Sequence, residues 1–207
     1  FGCVGEDGDI LLDMLKSRGV NTDSVIKIDN ITSGHAIIQV DSHGQNSILL
    51  YPGANHRMTP ELIDRELEKY SCGDWLLIQN ETNCLEYIMR AANKKGMKIA
   101  FNPSPMDGTV STLPLELVDL FLVNEIEGAA VTGKEITEEI TAEFEKLFPN
   151  AAVILTLGKK GSIFKSEKDM LFQPSYCGTV KDTTGAGDTY TGFFIANYIK
   201  GVSPQEC

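Results

Sequence analysis

Basic residues are scarce in this 207-residue sequence: 18 Lys and Arg stand against 29 Asp and Glu, a net charge of −11. A nucleic-acid surface needs clustered cations, so that class of partner is excluded. A nucleotide is not, because one anion hole and a metal ion hold phosphates locally. No apolar run approaches the roughly 20 residues of a membrane span, so no membrane partner is expected. Cysteines number five, at Cys3, Cys72, Cys84, Cys177 and Cys207, never spaced C-x-x-C. An odd, scattered set reads as reduced thiols in a cytoplasmic protein, not as a disulfide framework. The three histidines, His35, His43 and His56, fall in one segment without a Cys or carboxylate at ligand spacing, and read as surface or hairpin residues. No G-x-x-x-x-G-K-[ST], no G-x-G-x-x-G after a strand, and no G-x-S-x-G or H-E-x-x-H occurs, which excludes a P-loop, a nicotinamide dinucleotide fold and two large hydrolase classes.

What is present is a globular composition, 42% hydrophobic and 23% charged. The length fits one domain with a substantial core. The chain opens at Phe1, not Met, so the natural N-terminus is expected to lie before it. Residues 5–18 carry Ile10, Leu11, Met14 and Leu15 at helical spacing, with Gly19 as a stop. Ala36–Val40 and Ser47–Tyr51 read as the strands of a hairpin, with Ser42, His43, Gly44, Gln45 and Asn46 in its turn. Both of its faces are partly apolar. That suits either a plain two-faced core hairpin or a hairpin covering a ligand on one face and meeting a body or partner chain on the other.

From residue 60 onward strands and helices alternate. Strands are expected at 75–79, 98–101, 120–123 and 153–157, then near 162–165 and 170–173. Helices are expected at 60–70, through 85–92, at 125–132, at 137–147 and at 188–200. Continuously apolar strands between helices indicate an α/β fold, a mainly parallel sheet covered on both faces. Ligands in such folds bind beyond the carboxyl ends of the strands.

The most informative segment is Asp182-Thr183-Thr184-Gly185-Ala186-Gly187-Asp188, with a helix opening at once behind it. Glycines let the backbone approach a ligand, and a helix N-terminus offers amides and a positive dipole end to an anion. A carboxylate at its edge takes a proton from an attacking hydroxyl in phosphoryl transfer. The plain alternative is a glycine turn with Asp188 as a helix cap. Three other strand ends also have two readings each. Asn80-Glu81 offers either a ligand for hydroxyls or an acid favoured by a helix dipole. Asn124 with Glu127 is either a capping box or a pair that organises hydrated magnesium. Thr156-Leu157-Gly158-Lys159-Lys160-Gly161 is either a nucleotide loop or a tight turn.

In this order, these pieces resemble the ribokinase family of sugar kinases, the phosphofructokinase-B type. Asp182 to Asp188 with Thr189 and Tyr190 is similar to that family's C-terminal signature, and Asn124 to Glu127 to its N-x-x-E motif. Thr156 to Gly161 and Asn102-Pro103-Ser104-Pro105 are similar to its nucleotide loop and the loop before it. Tyr51-Pro52-Gly53-Ala54-Asn55 is nearer to the ribose-phosphorylating members than to the fructose or adenosine members.

The resemblance implies a Rossmann-type three-layer sandwich, with a core at 1–34 and 52–207 and a small β lid at 35–51. It implies ATP-dependent phosphorylation of a sugar hydroxymethyl group, first of all that of ribose. It makes Asp188 the general base and the amides of Gly185, Ala186 and Gly187 the anion hole. Glu81 becomes a sugar ligand. Asn124 and the loop Thr156, Leu157, Gly158, Lys159, Lys160 and Gly161 contact ATP together with Gly187. Glu127 orders magnesium, and Asp182 with Thr184 holds a monovalent cation, usually potassium. The lid is expected to pair two copies into a homodimer. The family's earlier glycine-rich sugar motif and its C-terminal part are not among these residues. The span alone is therefore expected to be inactive and poorly folded. A fructose, 2-keto-3-deoxygluconate or nucleoside kinase, or a silent binding protein, are the alternatives on this fold.

Overall fold

The computed structural model describes residues 1–40, 46–176, 178 and 183–207. Two compact bodies account for the chain, residues 1–71 with 81–91, and residues 72–80 with 92–207. No helix among the described residues is long and apolar enough to cross a membrane.

The first body begins with β1 (Gly2–Val4), α1 (Asp9–Ser17) and β2 (Val25–Lys27), and β1 pairs with β2 in parallel. The two strands are three residues each, too short for a period to show in the sequence, and neither was expected. The helix expected over 5–18 starts only at Asp9, behind Gly8. Glu6 and Asp7 are occupied otherwise: Glu6 Oε1 accepts the N–H of Asn30, and Asp7 Oδ1 accepts the N–H of Ser33. The Ser33 hydroxyl in turn accepts the N–H of Gly5 at 2.9 Å. The Ser33 N–H, and with it the Ser33 hydroxyl, holds the Asp7 carboxyl below the usual carboxylate range. No residue of α1 is buried, so the apolar stripe that predicts the helix stays at the surface.

The hairpin β3 (His35–Val40) and β4 (Asn46–Tyr51) is antiparallel with Ile37 opposite Leu49 and Ile38 opposite Ile48. Its expected turn residues Ser42, His43, Gly44 and Gln45 lie outside the described residues, and Asn46 belongs to β4. Helix α2 (Pro60–Leu67) has the two start signals its sequence advertises, Pro60 at its first position and the Thr59 hydroxyl accepting the N–H of Leu62. Ile63 and Leu67 are buried. Helix α3 (Leu85–Lys94) then carries the chain towards the second body.

That second body is one six-stranded sheet. Its strands are β5 (Trp75–Gln79), β6 (Lys98–Asn102), β7 (Leu120–Asn124), β8 (Ala152–Thr156), β9 (Gly161–Lys165) and β10 (Met170–Pro174), in spatial order β10-β9-β8-β7-β6-β5. β5 to β8 are parallel, and β9 and β10 join as antiparallel neighbours.

Alternate residues of the central strands serve opposite layers. Ala100, Leu120, Leu122, Ala152 and Ile154 pack with Phe164 and with Phe194 of α6 (Ala186–Tyr198). On the other face stand α4 (Glu125–Thr132) and α5 (Thr137–Leu147). A Cβ at Gly128 of α4 would come within 3.0–3.7 Å of Ile140, Leu155 and Val123, and Phe121 meets Phe144 at 5.1 Å between ring centroids. The result is the three-layer α/β sandwich with a mainly parallel sheet that the sequence predicts. The bounds of α4 and α5 agree with expectation, and the strands agree to within a residue.

Candidate active site

Parallel strands bring their carboxyl ends to one edge, and here each of the four closes on a polar residue. β5 ends on Gln79, β6 on Asn102, β7 on Asn124 and β8 on Thr156. The N-terminus of α6 faces the same place, and together they line a cavity of about 300 Å³.

The helix start is built on Gly185, which takes the N-cap place with φ +70° and offers no side-chain cap. A β-carbon is disfavoured at that angle, so the backbone alone favours glycine here. At Gly187 the reason differs. A Cβ there would meet no protein atom within 4 Å, so packing does not demand the glycine. Both glycines, Ala186 and Asp188 line the cavity. The Ala186 N–H is taken by the carbonyl of Thr183. Asp188 is the third helical residue and not the cap, so the plain reading of it as a helix cap does not hold. Its Oδ1 accepts a hydrogen bond from the Gln79 amide at 3.1 Å.

Across the cavity, Asn124 and Glu127 form a complete capping box at the start of α4. The Asn124 N–H donates to Glu127 Oε2 and the Glu127 N–H donates to Asn124 Oδ1, both at 2.9 Å. Glu127 is only 7% exposed, and burial pushes its carboxyl above the usual range, against the pull of the Asn124 N–H and the Ser104 hydroxyl. The capping reading of this pair is therefore correct in geometry. It leaves a buried acid at the wall of a polar cavity, lined also by Asn102, Ser104 and Thr156. Oxygen donors of this kind suit a hard, hydrated cation such as magnesium.

A second cavity of about 530 Å³ adjoins the first through shared residues Thr156, Ala186, Gly187 and Tyr190. Its walls include Phe164, Leu171, Phe172 and Pro174. Gly158 and Gly161 line it as well. Gly161 has φ +120°, and a Cβ on it would stand 2.0 Å from the Gln173 carbonyl of β10, so here the glycine serves strand pairing. Of the same loop, Leu157 is buried, while Lys159 and Lys160 sit on a tight turn, with Lys160 Nζ 3.7 Å from Glu125. Thr184 lies exposed in the turn before α6, Glu81 belongs to the first body, and Asp182 lies outside the described residues.

The sequence reading gave Gln79 no role, and it missed the bond of Ser104 to Glu127 and the pairing of Ser162 with Tyr190. Ser162 is buried and its hydroxyl stands 2.8 Å from that of Tyr190, the fifth residue of α6, joining β9 to that helix. The signal for Gln79 was there, a polar residue closing an apolar strand at the ligand edge. For Ser162 no local signal exists, since its partner is 28 residues away.

Residues 1–207 match the family model of the pfkB family carbohydrate kinases. Among similar curated proteins, a bifunctional ribokinase/ribose-5-phosphate isomerase A of Fructilactobacillus sanfranciscensis is 35% identical over 193 residues, covering 90% of this chain and 36% of that protein. A Staphylococcus aureus ribokinase is 31% identical over 205 residues, covering 95% of this chain and 67% of its own length. The solved structure of Arabidopsis thaliana ribokinase complexed with ribose and ATP superposes with a TM-score of 0.80 at 28% identity, over all of this chain and 70% of that one. The chain thus spans about a third of the bifunctional relative and about two thirds of the others.

Proposed function

We infer the function from one premise: the chain belongs to the pfkB family of carbohydrate kinases. From it we propose that the full-length protein transfers the γ-phosphoryl group of ATP to a sugar hydroxymethyl group, converting D-ribose to ribose 5-phosphate. The observation that carries this is the single cavity that joins Asp188 and the glycine-opened start of α6 to Asn124 and Glu127. The relatives named ribokinase, and the one complexed with ribose and ATP, support the choice of sugar and nucleotide.

Phosphoryl transfer asks the protein for placement and charge stabilisation more than covalent chemistry. Asp188 accepts the proton of the sugar hydroxyl as its oxygen bonds to the γ-phosphorus and the bond to the ADP oxygen breaks. The start of α6, from Gly185 to Gly187, stabilises the phosphoryl oxygens in flight. The neighbouring apolar cavity is proposed for the base of the nucleotide, bounded by Thr156, Gly158 and Gly161. Asn124 is proposed for the phosphates, and Leu157, Lys159 and Lys160 for shaping the turn beside them. Glu127 would hold magnesium through its waters, and that ion when bound neutralises phosphate charge. Thr184 and Asp182 are proposed for potassium and Glu81 for the sugar, on their match to the family motifs. The hairpin 35–51 is proposed as a lid that also pairs two copies. Its side chains Ile37, Ile38, Ile48 and Leu49 are all more than half exposed. Free thiols at Cys3, Cys72, Cys84 and Cys207 agree with a reducing cytoplasm.

The test is a panel of sugars and nucleosides offered with ATP to the full-length protein. Ribose is expected to give the highest kcat/KM. Asp188→Asn is expected to lower kcat by about 10²–10⁴-fold with ATP binding retained. Near-normal turnover in that variant removes Asp188 from its role, and a nucleoside as best acceptor replaces ribose.

A further inference from the structure

We propose that Gln79 is a positioning residue for Asp188: its side-chain amide holds one carboxylate oxygen so that the other is presented to the substrate hydroxyl. This rests on the kinase reading above.

The two residues are 109 positions apart, yet Gln79 Nε2 lies 3.1 Å from Asp188 Oδ1. A carboxylate only accepts, so the amide nitrogen and not the amide oxygen must face it. What holds Gln79 is a strand. It closes β5, where it is opposite Asn102 of β6, and the preceding Leu76 and Ile78 are buried. What it holds is less secured by its own element. Asp188 is exposed, in the first turn of a helix entered through a left-handed glycine. A general base must stand within hydrogen-bond reach of the proton it takes, and a displacement of about 1 Å costs on the order of 10²-fold in rate. A side chain free to rotate over an open cavity does not meet that demand. One bond to a rigid strand does, and it leaves Asp188 Oδ2 for the substrate.

The chemistry of the anchor is also apt. An ammonium or guanidinium in the same place would fix the carboxylate but strongly lower its affinity for a proton. A neutral amide orients it with a smaller loss of basicity, and cannot itself take the proton. The other titratable side chains lining this cavity among the described residues are Glu127 and Tyr190, and neither changes in the variants below.

The experiment compares the full-length wild type with Gln79→Leu and Gln79→Glu. In Gln79→Leu, kcat is expected to fall about 10–100-fold while KM for ATP stays within about twofold. Gln79→Glu is nearly isosteric, so it folds if the position tolerates any change. Its carboxylate cannot donate to Asp188 and repels it, so kcat should fall at least as far as in Gln79→Leu. The carbon-13 chemical shift of the Asp188 carboxyl, read at one neutral pH, reports loss of the bond without turnover. A kcat within twofold of wild type, or an Asp188 carboxyl shift unmoved in both variants, overturns the proposal. A wild type that phosphorylates no sugar overturns the kinase reading and the positioning role with it, while the carboxyl shift still shows whether the bond forms.

Discussion

Burial pushes the Glu127 carboxyl above its ordinary range, and the Asn124 N–H and Ser104 hydroxyl only partly oppose it. The folded chain therefore binds this proton more tightly than the unfolded chain does. The contribution of Glu127 to stability is most favourable below the unfolded pKa of about 4.3 and declines as pH rises through the raised, folded value. Glu127→Gln keeps a carbonyl oxygen for the Asn124 N–H and removes the buried charge. It is expected to melt higher than wild type at neutral pH, with the advantage vanishing in acid, and to turn over far more slowly. Calorimetry at pH 7 and pH 4 beside a kinase assay decides it. A variant that melts lower at pH 7 and keeps its activity means that the carboxylate is a helix cap and nothing more. This residue was legible in the sequence because its spacing from Asn124 is local. Gln79 was legible only as a polar strand end and Ser162 not at all, because their partners Asp188 and Tyr190 are brought to them by the sheet.

At the scale of elements, the period of apolar residues was a sound guide wherever a strand or helix was long enough to have one. β7 and β8 are buried on both faces along nearly their whole length, and their continuous apolar runs say so. The failures were also physical. β1 and β2 have three residues each, and the start of α1 was misread because Glu6 and Asp7 bond to the chain near 30–33 instead of capping a helix. Helix α6 provides the sharpest separation of folding from function. Its ladder Tyr190, Phe194 and Tyr198 stacks along one face, with Phe164 of β9 against Phe194 and Tyr198. That anchoring does not involve Gly187, whose missing side chain faces open space. Gly187→Ala should therefore stabilise the helix by about 0.5–1 kcal/mol while placing a methyl group where the phosphoryl group is proposed to bind. Denaturant unfolding should show a slightly higher midpoint, and KM for ATP should rise or kcat fall by at least about tenfold. Unchanged kinetics would mean that the glycine is not kept for a ligand.

At the scale of the whole molecule, the hairpin raises a question of assembly. An isolated two-stranded ribbon is marginal in water, and here apolar side chains are exposed on both of its faces. Cross-strand register separates them: Ala36, Ile38, Ile48 and Leu50 share one face, and His35, Ile37, Leu49 and Tyr51 the other. A lid that covered a sugar and did nothing else would need one such face. A lid that also pairs two copies needs both, each with a different occupant. Two single substitutions on adjacent residues separate these demands, because neighbours along a strand point in opposite directions. Ile48→Asp and Leu49→Asp in the full-length protein are expected to differ in kind. One should shift the dimer to monomer in analytical ultracentrifugation with KM for sugar within about threefold. The other should keep the dimer and raise KM for sugar by about tenfold or more. Two variants that behave alike, or a wild type that sediments as a monomer, would show that the faces do not divide the work this way.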